Sequence, residues 1–151
     1  LDRYLVIDSD TFFLKPTIFI QDNKCLYNYG TEHHAPYFEH MAKLNKDFKK
    51  FDNRKSGICH HMMFETQYIN QLFEIIESQH NDTFYNVFLK LVSETSGSGA
   101  SEYEMYFNYM LKNHFDKIQI RQLNWSNVDN LDVNCGLDYI SYHSYLRSTF
   151  K

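Results

Sequence analysis

Two aspartates, Asp8 and Asp10, stand one residue apart where the run Tyr4-Leu-Val-Ile7 ends, and apolar residues resume at Phe12. Tyr4 to Ile7 reads as a buried β-strand that delivers both carboxylates to its C-terminal edge, where open α/β sheets place their ligands. Side chains at i and i+2 of a strand share a face, so the two acids point the same way if strand geometry continues. Two acids on one apolar strand are costly without a partner, and a cation between them relieves the repulsion. Oxygen donors favour Mg²⁺ or Mn²⁺, ions that bridge protein carboxylates to substrate phosphates. The pair therefore points to metal-assisted handling of a diphosphate, with a plain Asx turn as the structural alternative.

Other residues with chemical capacity are scattered along the chain. His60 and His61 follow Ser56-Gly57 in an apolar run, and in a strand their rings face opposite sides, so at most one serves a site. His33 and His34 lie in a polar loop and lack that context. Glu104, three residues after Ser101, fits a capping box, whereas capping explains Glu102 less well. Glu102 therefore ranks first of the two for chemistry. His143 shares a strand face with Ser141 and Tyr145 if alternation holds from Tyr139. Trp125 suits stacking on a sugar ring, and equally suits anchoring the preceding strand in a core.

The elements that must position these groups alternate between strand and helix. Strands are predicted over Tyr4–Ile7, Cys25–Tyr29, Ile58–Phe64, Lys117–Leu123 and Tyr139–Tyr145. Helices are predicted from Pro36 through Phe48, over Thr66–Gln79, Thr83–Val92 and Glu102–Lys112. Thr17 to Lys24 and Asn124 to Gly136 read as irregular. Ser93 to Ser101, rich in Ser and Gly, reads as a flexible loop and a mobile lid ahead of Glu102. The expected class is a mixed α/β layer with Tyr4–Ile7 central and helices against it.

The stretch Leu5-Val-Ile-Asp8-Ser-Asp10-Thr-Phe-Phe-Leu-Lys-Pro16 resembles the D-x-D region of GT-A-type glycosyltransferases. The resemblance continues through Tyr27–Glu32, Ser56–Phe64, Ala100–Tyr109, Leu123–Asn127 and Ser141–Tyr145. Together these segments are similar to a glycosyltransferase-like family of bacteria and large viruses. The resemblance implies a GT-A-like mixed sheet flanked by helices and transfer of a sugar from a nucleotide-diphosphate donor to a hydroxyl acceptor (glycan, lipid or protein). It implies Asp8 and Asp10 as holders of a divalent ion on the donor diphosphate, with His143 as third ligand. A nitrogen ligand suits Mn²⁺ better than Mg²⁺. It further implies His60 or His61, Trp125 and Glu104 beside the acceptor and Glu102 as the base. Family members carry a nucleotide-binding half before D-x-D, whereas this sequence starts at Leu1, so residues 1–151 are expected to form one domain, the C-terminal part of a longer protein in preference to a relic that lost its donor-binding half.

Two alternatives come from other classes. A pseudo-transferase or carbohydrate-binding module would keep the acceptor half without the chemistry. A HAD-type phosphatase also opens with D-x-D at a strand end, but its motif wants Thr or Val two residues after the second Asp, where Phe12 stands.

Bulk properties bound the partners. A net charge of -4 leaves no footprint for nucleic acid or an anionic membrane. The 151 residues hold no run of membrane-span length and no visible signal peptide, so a cytoplasmic location is expected. Cys25, Cys59 and Cys135 are odd in number and far apart, which predicts buried free thiols. Aromatics reach 17%, an excess that core filling and a compositional bias towards Asn, Lys, Tyr and Phe explain first, with stacking platforms for sugar rings as the functional alternative.

Overall fold

A computed structural model describes residues 1–93, 98–143 and 146. The chain runs β1 (Arg3–Ile7), β2 (Thr11–Phe13), β3 (Ile20–Gln21), β4 (Lys24–Asn28), α1 (Ala35–Leu44), β5 (His61–Glu65), α2 (Thr66–His80), α3 (Phe84–Lys90), α4 (Glu102–Asn113), β6 (Ile118–Arg121), β7 (Trp125–Asn127) and β8 (Tyr139–Ser141). The class is mixed α/β, as the alternation of periods predicts, but the strands form three small sheets. β1 pairs antiparallel with β5, β8 lies between β2 and β7, and β4 lies between β3 and β6. The β4–β6 and β7–β8 pairs are parallel. Two expectations are corrected here. Among the described residues β1 has a ladder on one side only, so Tyr4–Ile7 is not central, and it is half-buried, with Ile7 exposed, rather than buried.

α4 is the hub of the core. It is buried from Tyr103 to Leu111, and Tyr106, Phe107 and Met110 are enclosed almost completely. α2 turns Tyr68, Leu72 and Ile76 inward, at a spacing of four residues that keeps them on one face. The phenol of Tyr27 on β4 donates to the Tyr106 hydroxyl at 3.2 Å, and that hydroxyl accepts the Glu65 N–H at 3.1 Å. Much of the aromatic excess is thereby core: Tyr27, Tyr103, Tyr106, Tyr109 and Tyr139 are all buried. Cys25 and Cys59 are buried free thiols, and Cys135, against expectation, is exposed.

Helix boundaries shift where local chemistry intervenes. Pro36 sits in the first turn of α1, as its fixed φ and missing N–H predict. That helix stops at Leu44 instead of reaching Phe48, because Asn45 turns outward and its side chain accepts the Asp47 N–H at 2.9 Å. β3 and β7 fall in segments predicted irregular. They are two and three residues long, too short to show a period.

One buried carboxyl fixes the segment before β5. Glu104 was expected to turn back on Ser101 as a capping-box acid. Ser101 does cap the helix, its Oγ accepting the Glu104 N–H at 3.1 Å, but the Glu104 side chain points the other way. Its Oε2 accepts the Ser56 hydroxyl at 2.7 Å and the Gly57 N–H at 2.8 Å, and its Oε1 accepts the Asn108 amide at 2.8 Å. Gly57 makes this approach possible, since a Cβ there would stand 2.5 Å from the Phe107 Cβ and 2.7 Å from the Tyr103 carbonyl oxygen. Ser56 and Gly57 are thus held on α4, and the strand predicted from Ile58 begins only at His61. Glu104→Ala strands three donors at a fully buried position, and we expect it to cost about 3 kcal/mol or more in chemical denaturation. A cost near the roughly 1 kcal/mol of a lost helix cap would refute this account of Glu104.

Candidate functional site

The end of β1 does not continue as a strand. The Asp8 carbonyl accepts the Thr11 N–H at 3.0 Å, so Asp8 to Thr11 form a turn. Asp8 and Asp10 leave that turn toward two different imidazoles. Asp8 Oδ2 meets His60 Nδ1 at 3.0 Å, and Asp10 Oδ2 meets His143 Nδ1 at 2.9 Å. A carboxylate only accepts, so each Nδ1 carries the proton and fixes its ring's tautomer. The two imidazoles lie 4.8 Å apart, centroid to centroid, which merges the pairs into one Asp–His–His–Asp cluster. The carboxylates keep access to solvent, with Asp8 36% and Asp10 24% exposed.

Each member is held by its surroundings. The Asp8 N–H donates to the His60 carbonyl at 2.9 Å, which ties the end of β1 to the start of β5. His60 adopts φ 60°, a left-handed conformation uncommon for a residue with a Cβ, and the chain bends there to enter β5. The bend replaces the alternation predicted for Ile58–Phe64. The Tyr103 hydroxyl on α4 donates to Asp8 Oδ1 at 2.8 Å. The His60 contact, with help from Tyr103, holds the Asp8 carboxyl below its ordinary range, and burial opposes that shift. Burial and then Asp8 push the Tyr103 phenol upward, so it remains a donor. On the other pair, the Tyr142 N–H donates to the Asp10 carbonyl at 2.8 Å, so residues following β8 bring His143 to Asp10. His143 lies beyond the end of β8, and Ser144 and Tyr145 of the predicted strand lie outside the described residues.

His60 and Trp125 are in edge contact, with centroids 5.0 Å apart. Trp125 also stacks on buried Tyr139 at 5.4 Å and an interplanar angle of 9°. Tyr139 is pinned from two sides, accepting the Asn28 amide at 2.9 Å and donating to the Cys59 carbonyl at 2.9 Å. Trp125 is thus seated on a buried ring, and its other side is open. It lines an open cleft of about 620 Å³ between the loop at Gly30–Glu32 and residues 122–127.

The remaining expected site residues lie elsewhere. His61 turns away from the cluster into a box of Phe13, Phe19 and Tyr139, and its Nδ1 bonds the Cys59 carbonyl at 2.9 Å. It is 2% exposed, which leaves no ring edge for an acceptor. Glu104 is likewise enclosed, its oxygens occupied as described. Glu102 is exposed in the first turn of α4 and lines a separate, largely apolar cleft with Tyr4, Val6 and Phe64. Among the described residues it makes no hydrogen bond to Asp8, Asp10, His60 or His143. Part of the predicted lid, residues 94–97, lies outside the described residues. Two participants escaped the sequence reading, Tyr103 and the cleft residue Glu32. Both lie inside segments that carry the resemblance, but their types and spacing gave them no role, and only the packing of α4 and the β4–α1 loop brings them in.

Two carboxylates and a nitrogen donor match what Mn²⁺ or Mg²⁺ binds, so the donor types at this strand end fit a divalent ion. As they stand, no three His, Cys, Asp or Glu side chains among the described residues are grouped to hold one. Imidazole N–H groups occupy the carboxylate oxygens instead. Among the described residues no helix is long and apolar enough to cross a membrane. No family model, no curated protein and no solved structure matches the chain.

The enclosed His61 gives a titration prediction. Burial pushes it from 6.5 down to about 4, so between those values the unfolded chain takes up a proton that the folded chain refuses. Stability is therefore full above pH 6.5 and falls as pH drops toward 4, by on the order of 3 kcal/mol in all. Urea denaturation of the wild type against His61→Phe checks this. The variant should lose most of the slope in that window, and an unchanged slope would assign it to other groups.

Proposed function

We propose that this chain serves metal-dependent transfer of a sugar from a nucleotide-diphosphate donor to a hydroxyl acceptor, in the manner of a GT-A-like enzyme. The supporting observation is the convergence of Asp10 and His143, 2.9 Å apart though 133 residues distant in sequence, beside Asp8 at the end of β1. Asp8, Asp10 and His143 are the groups that would hold Mn²⁺ or Mg²⁺, and the bound ion supplies charge to offset the departing diphosphate. The protein's own part is positional. Tyr103 and His60 fix the rotamer of Asp8, the Tyr142–Asp10 main-chain contact fixes the turn, and the Trp125 cleft opens beside the cluster for the acceptor.

A second reading has its own observation. Both Asp8 oxygens are occupied, by Tyr103 and His60, and a cluster closed by protein donors suits a carbohydrate-binding pseudo-transferase that has lost metal chemistry. Calorimetric titration of MnCl₂ into the protein separates the two. The transferase reading expects saturable binding that Asp10→Ala and His143→Ala weaken at least roughly tenfold, the loss of one charged ligand interaction. Absence of saturable binding, or affinity unchanged in Asp10→Ala, rejects it in favour of the binding module.

A further inference from the structure

The cleft beside the cluster has a chemistry of its own. Its wall is Trp125, held firm because Tyr139 backs it and is itself bonded to Asn28 and to the Cys59 carbonyl. Around the tryptophan stand the amides of Gln122, Asn124 and Asn127, the hydroxyl of Ser126 and the carboxylate of Glu32. No lysine or arginine lines it. Lys50 approaches Glu32 only at the main chain, donating to its carbonyl oxygen at 3.2 Å, which steadies the loop and leaves the carboxylate exposed without a hydrogen-bond partner among the described residues.

An aromatic wall ringed by amide, hydroxyl and carboxylate groups matches a ring with an apolar C–H face and hydroxyls around its rim. Amides donate and accept at neighbouring hydroxyls, and a carboxylate accepts from two hydroxyls at once. Among the described lining residues a phosphate or uronate finds no cation and meets the negative Glu32, while the nearby Lys50 ammonium is engaged by the Glu32 carbonyl, so an anionic ligand is disfavoured relative to a neutral one. A nucleobase would also stack on Trp125, but the phosphates of its nucleotide fall under the same penalty. The volume, about 620 Å³, is ample for an oligosaccharide end.

We infer that this cleft is a binding site for a neutral oligosaccharide, with Trp125 as the stacking wall and Glu32 as the hydroxyl-binding acid that selects against anionic sugars. The inference deepens the transferase reading by naming its acceptor class and rests on that reading for the word acceptor. Saccharide binding itself is measured without metal or donor, so its failure is distinct from a failure to bind Mn²⁺.

Trp125 is the sole tryptophan of the chain, so its fluorescence reports directly on this wall. The test titrates the protein with lactose, maltotriose and N,N′-diacetylchitobiose, and in parallel with 3′-sialyllactose, digalacturonate and UMP. At least one neutral sugar should shift the emission saturably, and the anionic ligands should bind at least roughly tenfold more weakly, the effect of one unpaired charged contact. Glu32→Gln, on an exposed loop, should weaken the neutral sugar roughly tenfold and narrow the gap to its anionic counterpart, with melting unchanged. Gln122→Ala provides a second exposed variant, expected to weaken the same sugar. No saturable response to any neutral sugar overturns the inference. So does tighter binding of UMP or an acidic sugar, or undiminished neutral-sugar affinity in both variants.

Discussion

The site depends on a carboxyl that takes no part in it. Glu104 is fully enclosed, and in place of a cation it has the Ser56 hydroxyl, the Gly57 N–H and the Asn108 amide on its oxygens. A buried polar group of this kind is tolerable only when satisfied, and satisfying it requires the chain at Ser56–Gly57 to lie flat on α4. From there three residues must bring the chain into β5, and the left-handed bend at His60 is how they do so. The bend aims one imidazole at Asp8 and the next into the aromatic box. The divergence of His60 and His61 thus begins with a glutamate more than forty positions later in the sequence.

The bend is over-determined, which explains why it persists. A residue with a Cβ at φ near 60° carries a cost of order 1–3 kcal/mol unless its surroundings compensate. The His60 carbonyl accepts the Asp8 N–H, its ring donates to the Asp8 carboxylate, and Trp125 packs against it. Strain stored beside two partly exposed carboxylates, and next to a polar cleft, is where binding machinery is found more often than mere scaffold.

What could be read in the sequence followed from period and composition. The apolar run into Asp8 and Asp10, the amphipathic helix through Ile69, Leu72, Phe73 and Ile76, Pro36 in a first turn and Ser101 as a cap are all local signals that appear in the structure. In α2, however, Tyr68 joins Leu72 and Ile76 as the fully buried residues, while Ile69 and Phe73 are only partly buried. The pairing of Asp10 with His143 came from no local signal: only the family resemblance placed His143 with Asp10, as a fellow metal ligand, and the structure shows the two side chains hydrogen-bonded to each other. Illegible were interactions that need two distant segments at once. Glu104 satisfied a capping pattern, so nothing local announced that its side chain would instead hold Ser56 and Gly57. His61 had an equal claim with His60 until the bend separated them. The edge position of β1 followed from pairing, which a strand's own composition does not report.

The two Asp–His pairs also set the terms on which a cation could enter. Repulsion between Asp8 and Asp10 was the original reason to expect an ion between them, and here it is relieved by Nδ1–H groups, one on each carboxylate. Under the proposed function, an arriving ion must compete for oxygens that already have partners. Tyr103 is the asymmetric element in that competition, because it gives Asp8 a second donor while Asp10 has only a long 3.5 Å contact from Ser141 beside its imidazole. Among the described residues Asp8 is therefore the better hydrogen-bonded carboxylate, although it is also the more exposed of the two. The same asymmetry divides the anchoring of the pair, with Asp8 bound into the frame formed by α4 and His60, and Asp10 bound to the segment after β8 through the His143 ring and the Tyr142 N–H.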